Sequence, residues 1–234
     1  MEVYGELLRA LGSEYDTVKT IKRSVRGEVS VVRHRKTGRR FIFRLFDGPS
    51  EVYERLIPVV CPHLPQIMET AQRDGKTAVL EEYVQGDTLD FILQGGVLEP
   101  KVARKIVWQL CAGLWVLHSL GAVHRDVKPE NVILRGDEAV LIDFDASRIH
   151  KGEQTADTQV LGTTGFAAPE QYGLSQTDGR ADIYSLGVLL NIMVTGEHPS
   201  ATLAKGRLGK IIHHCTAMNP EKRYQSVLDL MEAL

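Results

Sequence analysis

Apolar and polar positions alternate over short distances through the first part of the chain. β-Rich runs at residues 17–21, 29–33 and 40–46 are separated by Arg26-Gly27 and by Lys36-Thr37-Gly38, turn chemistry that joins antiparallel strands. They predict a three-strand meander. Ser50 is placed to N-cap a helix through Leu56, which Pro58 curtails. Residues 67–72 and 77–84, on either side of Asp74-Gly75, predict a further hairpin. This part of the chain therefore reads as a five-strand sheet with one helix.

From Asp87 onward the period lengthens. Pro100 suits a first helical turn and Gly121 a helix end, and Val102, Ile106, Leu110, Leu114 and Leu117 make an apolar stripe between them. That stripe predicts a long core helix. A second helix is predicted from about Arg180 to Thr195, closed by Gly196 and Pro199, with shorter ones at residues 208–217 and 225–234. The pattern implies an α+β fold in a single domain over residues 1–234. A small sheet lobe (about 14–84) leads through a hinge (about 82–87, with Gln85-Gly86 as the link) into a larger helical lobe (about 88–234). Ligands commonly sit in the cleft of such an arrangement.

Composition changes this picture little. The chain has 234 residues, 43% hydrophobic and 25% charged, the proportions of a globular protein rather than a disordered or fibrous one. A formal net charge of -2 supplies no field that would draw nucleic acid or a membrane surface, and the basic stretch from Lys19 to Arg40 reads as a solvated sheet surface. Cys61, Cys111 and Cys215 lack CxxC spacing and read as buried thiols, which suits a reducing cytoplasm. In His213-His214-Cys215 neighbouring helical side chains point apart, a poor arrangement for joint metal ligation. The first residues carry no basic start and apolar run, and no window reaches the roughly 18 apolar residues of a membrane span. The expectation is a soluble cytoplasmic protein of undetermined oligomeric state.

The chemistry concentrates in His124-Arg125-Asp126-Val127-Lys128-Pro129-Glu130-Asn131, followed by Asp143-Phe144-Asp145 and Ala168-Pro169-Glu170. Phosphoryl transfer from ATP needs a carboxylate to orient the attacking hydroxyl, oxygen ligands for a divalent cation, and positive charge beside the moving phosphate. Asp126, Asn131, Asp143 and Lys128 can supply these. The three motifs together resemble those of eukaryotic-type protein kinases, bacterial serine/threonine kinases among them.

The resemblance implies Asp126 as catalytic base and Lys128 beside the transferring phosphoryl group, with Asn131 and Asp143 as ligands of Mg²⁺ (or Mn²⁺). It implies that Thr163 contacts Asp126 and Lys128, that Glu170 pairs with Arg223, and that Asp182 braces the catalytic-loop backbone. Arg125 would receive a phosphate placed on Thr155 or Thr158. Asp145 stands where the family has glycine, and the short interval from Asp182 to Arg223 implies a reduced substrate-facing helix.

Toward the N-terminus the family pattern thins. Of its glycine-rich loop only Gly27 remains before Val29, with Lys22 and Ser24 at the other glycine positions. Arg44 occupies the place of the β3 lysine, a planar cation for a compact one, and Ile42 that of the alanine over adenine. Val52 falls at the helix glutamate, flanked by Glu51 and Glu54. Adenine would meet the backbone of Glu82 and Val84, between Val29 and Ile133. Glu81 falls on the strand before them, and a buried carboxylate there should seek Arg44; a one-residue shift of register would turn it outward instead.

These readings imply a serine/threonine protein kinase that uses ATP on protein hydroxyls. A pseudokinase serving as nucleotide-binding or nucleotide-free scaffold is the alternative. A small-molecule phosphotransferase is disfavoured by Lys128 and Ala168-Pro169-Glu170.

Overall fold

A computed structural model describes residues 2–25, 27–49, 51–149, 163, 165–172 and 177–234. The chain divides into two compact units, residues 1–61 with 65–84, and residues 62–64 with 85–234. It is an α+β protein.

The first unit begins with helix α1 (Glu2–Glu14), followed by strands β1 (Tyr15–Ser24), β2 (Gly27–His34) and β3 (Arg40–Asp47), helix α2 (Glu51–Leu56), and strands β4 (Ile67–Arg73) and β5 (Lys76–Glu82). The strands form one antiparallel sheet in the order β1-β2-β3-β5-β4. At the β4–β5 turn Asp74 and Gly75 take φ 51° and 77°, the left-handed pair that a two-residue hairpin loop requires. At the start of β2 the backbone runs close against β3. A Cβ on Gly27 would lie 2.2 Å from the Leu45 carbonyl oxygen, so only glycine fits.

The sequence reading has one helix in this unit, and the described residues hold two. Tyr4, Leu7 and Leu11 are spaced to share a helical face, and Leu7 packs with Val32, Phe41, Ala71, Ala78 and Leu80 of the sheet. Strand alternation puts Phe41, Phe43 and Leu45 on the face covered by α1, and Ile42 and Arg44 on the opposite face. The Ser50 cap proposed for α2 lies outside the described residues. Val52 and Leu56 of α2 are buried.

In the second unit strand β6 (Asp87–Thr88) and helix α3 (Leu89–Leu93) lead to the long helix α4 (Pro100–Ser119) and strand β7 (Ala122–Val123). Strands β8 (Val132–Arg135), β9 (Glu138–Leu141) and β10 (Arg148–Ile149) and helices α5 (Gly179–Thr195), α6 (Gly206–Cys215) and α7 (Val227–Ala233) follow. Sheet β6-β8-β9 and the pair β10-β7 frame the loop between β7 and β8. Of the stripe predicted for α4, Ile106, Leu110, Leu114 and Leu117 are buried, whereas Val102 is exposed because it lies just off that face in the first turn. Pro62–Leu64 belong to this unit: His63 O accepts from Leu141 N–H at 2.9 Å, and Gly113 of α4 leaves room for the crossing.

Helix α5 is buried on nearly every side, as a helix apolar all round must be. It ends at Gly196 (φ 78°), and an irregular loop, not a helix, connects it to α6. Asn191 clamps that loop, donating to Glu197 O (2.8 Å) and Thr202 O (2.7 Å) and accepting from Ala204 N–H (2.9 Å). This loop takes up part of the short Asp182–Arg223 interval noted in the sequence. Cys111 and Cys215 are buried; burial raises the Cys111 thiol and pushes Cys215 up to about 12, so both stay protonated and inert. His214 stacks on Tyr224 at 4.2 Å while Cys215 faces α5, so the His-His-Cys run diverges. Among the described residues no helix is long and apolar enough to cross a membrane.

Gly187 is where α5 and α6 touch. A Cβ there would lie 2.4 Å from Cys215 Cβ and 3.0 Å from Thr216 Cγ2. Alanine has the better helix propensity, yet the clash outweighs it. Gly187→Ala is expected to destabilise the protein by about 1–3 kcal/mol in urea titration.

Candidate active site

The loop after β7 is bent against its local preference. Arg125 has φ 70°, a left-handed conformation costly for any residue that carries a Cβ, so neighbouring groups must hold it. Asp182, with no exposed surface, does so from the first turn of α5. Its Oδ2 accepts from His124 N–H at 2.9 Å and its Oδ1 from Arg125 N–H at 2.8 Å. His118 Nε2 on the last turn of α4 lies 2.8 Å from the same Oδ2. Burial alone would raise the Asp182 carboxyl, but the His118 bond and charge, His124 and the Arg125 amide more than offset it and hold the group below its ordinary value.

The His124 ring is also fixed. Its Nε2 faces Ile142 O at 3.2 Å and its Nδ1 faces Asp126 N–H at 3.3 Å, which assigns the neutral Nε2–H tautomer. Phe144 packs edge-on at 5.6 Å. Burial drives the His124 pKa down, only partly opposed by the Asp182, Asp126 and Asp143 charges.

On this braced backbone the Asp126 carboxylate gathers donors. Lys128 Nζ reaches Oδ2 at 2.7 Å, Thr163 Oγ1 donates to Oδ1 at 2.7 Å, and Lys128 Nζ donates to Thr163 Oγ1 at 2.7 Å. Asn131, in the one-turn 3-10 helix Pro129–Asn131, donates from Nδ2 to Asp126 O (2.8 Å) and Oδ2 (3.0 Å). With the nitrogen so engaged, the amide oxygen Oδ1 is the atom that can ligate a cation. Asn131 O accepts from Ile142 N–H at 2.9 Å, which brings Asp143 alongside. Asp143 itself has φ 70° and accepts from Asp145 N–H at 3.4 Å. Carboxylate and amide oxygens are hard donors of the kind Mg²⁺ takes.

The segment after Thr163 is tied in behind. Arg223 grips Glu170 through two parallel bonds of 2.6 and 2.8 Å, the pairing implied by the sequence, and also bonds Ala217 O and Arg180 O. Thr155 and Thr158 lie outside the described residues, and the Arg125 side chain is buried. His118 and Gln171, the latter bonding Arg125 O at 2.9 Å, are the members of this network that sequence reading did not single out. Neither stands in the motif residues used to identify the site.

Of the residues carried over for the nucleotide, Gly27, Val29, Arg44, Glu82 and Val84 lie in the first unit and Ile133, on β8, in the second. Val29 pairs with Arg44 across β2–β3, and Glu82 N–H bonds Gln66 O at 2.8 Å. The β3–β5 register sets Arg44 against Val79 and Ile42 against Glu81, so Arg44 and Glu81 are diagonal neighbours on one face. Arg44 Nε donates to Glu81 Oε1 at 2.7 Å, with side chains 5% and 2% exposed. The pair expected from the sequence is present, and the outward register is excluded.

Two measurements probe these arrangements. Glu81→Leu removes a carboxylate partner from a buried cation and is expected to cost about 3 kcal/mol, most of it regained in Arg44→Met/Glu81→Leu; equal losses in the single and double variants in urea would contradict the pairing. For His124 the folded pKa is depressed, so its contribution is present above the unfolded value of 6.5 and lost as pH falls toward the folded one. Urea stability at about pH 5.5 should therefore fall below that at about pH 7.5, and His124→Asn should flatten part of that slope.

Comparison with known proteins bears on what this geometry is. A family profile described as "Protein kinase domain" matches residues 49–233. Serine/threonine-protein kinase PknA of Nostoc is 34% identical over 175 residues, covering 71% of this chain and 31% of that protein. Serine/threonine-protein kinase D of Synechocystis is 30% identical over 226 residues, covering 85% and 43%. Serine/threonine-protein kinase cds1 of Schizosaccharomyces pombe is 25% identical over 229 residues, covering 88% and 50%. The chain thus spans half or less of the length of these curated relatives. With the family profile covering most of its length and the Asp126 cluster assembled within the matched region, the chain belongs to the protein kinase domain family.

Proposed function

We propose that the chain transfers the γ-phosphate of ATP to serine or threonine hydroxyls of proteins. The observation that carries this reading is the Asp126 carboxylate held between Lys128 Nζ and Thr163 Oγ1, each at 2.7 Å. A substrate hydroxyl approaching Asp126 would donate its hydrogen bond to the carboxylate and lose its proton there as the phosphoryl group moves. Lys128 would neutralise charge on the transferring oxygens, and Thr163 keeps the carboxylate from rotating away. Asn131 Oδ1 and Asp143 would hold Mg²⁺ (or Mn²⁺). When bound, the ion neutralises charge on the β- and γ-phosphates. For the nucleotide, the roles proposed are phosphate cover by Gly27, adenine contact by Val29 and Ile133, backbone recognition at Glu82 and Val84, and charge from Arg44.

One observation favours a second reading. Arg44 is already engaged by the buried Glu81, which neutralises part of the charge a phosphate would use. A pseudokinase that binds nucleotide without transferring it, or binds none, fits that pairing.

Radiolabelled ATP with Mg²⁺, a general protein substrate and the chain itself separates the two. The proposed activity predicts label on serine or threonine that falls by about 100-fold or more in Asp126→Ala. Bound ATP with no transferred label would instead establish the second reading.

A further inference from the structure

The amide joining Arg125 to Asp126 is held by side chains at both ends. Its N–H donates to His124 Nδ1 at 3.3 Å, and its carbonyl accepts from Gln171 Nε2 at 2.9 Å. Gln171 is 1% exposed and sits in the 3-10 turn Pro169–Tyr172. Its Oε1 accepts from Ala168 N–H at 3.0 Å.

Ala168 belongs to the segment that carries Thr163. Thr163 O accepts from Phe166 N–H and Ala167 N–H at 3.0 and 3.1 Å, folding the segment into a turn, and Thr163 Oγ1 donates to Asp126 Oδ1 at 2.7 Å. A closed circuit results: Asp126 backbone, Gln171, Ala168, the turn, Thr163, and back to the Asp126 carboxylate. Gln171 is the one side chain in it that bridges the two segments from behind.

We infer that Gln171 is a positioning residue that sets the spacing between Asp126 and Thr163, and so the aim of the Asp126 carboxylate; its catalytic consequence rests on the phosphotransfer reading above. The residue type follows from the geometry. One planar amide offers a donor and an acceptor on opposite corners, matched here to a carbonyl and an N–H that are both buried. Asparagine is shorter by about 1.5 Å, one carbon–carbon bond, and cannot span both. Ionised glutamate has no donor and would turn an oxygen on the Arg125 carbonyl. Protonated glutamate has both groups again. The left-handed Arg125 gives the bond its leverage, since a peptide in a sparsely populated conformation relaxes once a restraint is removed.

Gln171→Glu tests this with three readouts. In steady-state kinetics kcat should fall by about 100-fold with KM for ATP within about 2-fold, because a displaced carboxylate misaligns the hydroxyl and leaves the nucleotide unaffected. As pH is lowered, kcat relative to wild type should recover, since burial raises the new carboxyl and its protonated form restores the donor. In hydrogen–deuterium exchange, peptides covering residues 122–128 and 163–172 should exchange faster while the rest of the second unit does not.

A kcat within about 2-fold of wild type overturns the inference, as does faster exchange spread evenly over the chain, the mark of a merely structural role. If wild-type protein transfers no phosphate, the phosphotransfer reading fails on its own. The exchange data then still decide Gln171: local quickening sustains the bridge, and unchanged exchange removes it. Should Gln171→Glu not fold, Gln171→Met keeps the shape without the polar atoms and carries the kcat and exchange readouts, without the recovery at low pH.

Discussion

A carboxylate with no exposed surface holds the two backbone amides that open the loop after β7. Asp182 is fixed in the first turn of α5, the most deeply buried helix of the second unit, and His118 from α4 fixes its second oxygen. The left-handed Arg125 would otherwise relax, and with it the peptide that presents Asp126. Everything nearer the chemistry inherits its position from this brace. The His124 tautomer, the Asn131 bonds to Asp126 and the approach of Asp143 through Ile142 N–H all presuppose a loop already bent in this way. Such a charge is tolerable because its partners are numerous and directional, which is what a buried carboxylate requires.

The first unit uses a buried charge differently. Arg44 and Glu81 meet across neighbouring strands on the face opposite α1, where the sheet register makes them diagonal neighbours. A cation held by the sheet is less adjustable than one held by a mobile helix, because register changes only in whole residues and each step would turn Glu81 away. The same alternation puts Phe41, Phe43 and Leu45 under α1, so covering one face and charging the other are consequences of a single pattern. Whichever functional reading holds, the pair joins two positions at which the family pattern thins in the sequence.

Much of the fold was legible in the sequence for local reasons. Asp74-Gly75 dictates its hairpin, Pro100 and Gly121 bound α4, and Gly196 stops α5, because turn and cap chemistry acts over a few residues. Helix α1 was not anticipated, although Tyr4, Leu7 and Leu11 have helical spacing. Gly5 and Gly12 weaken its intrinsic propensity, and what stabilises it is the sheet face it covers. Val102 went the other way, an apolar residue at helical spacing that the first turn of α4 leaves exposed.

The linear order of residues determined which groups are available for chemistry. Asp126, Lys128 and Asn131 lie within a few residues of one another, so their grouping needs no long-range contact. The family resemblance and the chemistry of burial already implied that Thr163 meets Asp126, that Asp182 braces the loop and that Arg44 seeks Glu81; tertiary structure alone added that His118 joins the brace and that Gln171 bridges the loop to the Thr163 segment, and it decided the strand register that brings Arg44 to Glu81. Each of these joins residues far apart in sequence, and their meeting depends on helix packing and strand register, quantities set by the whole core rather than by any local pattern.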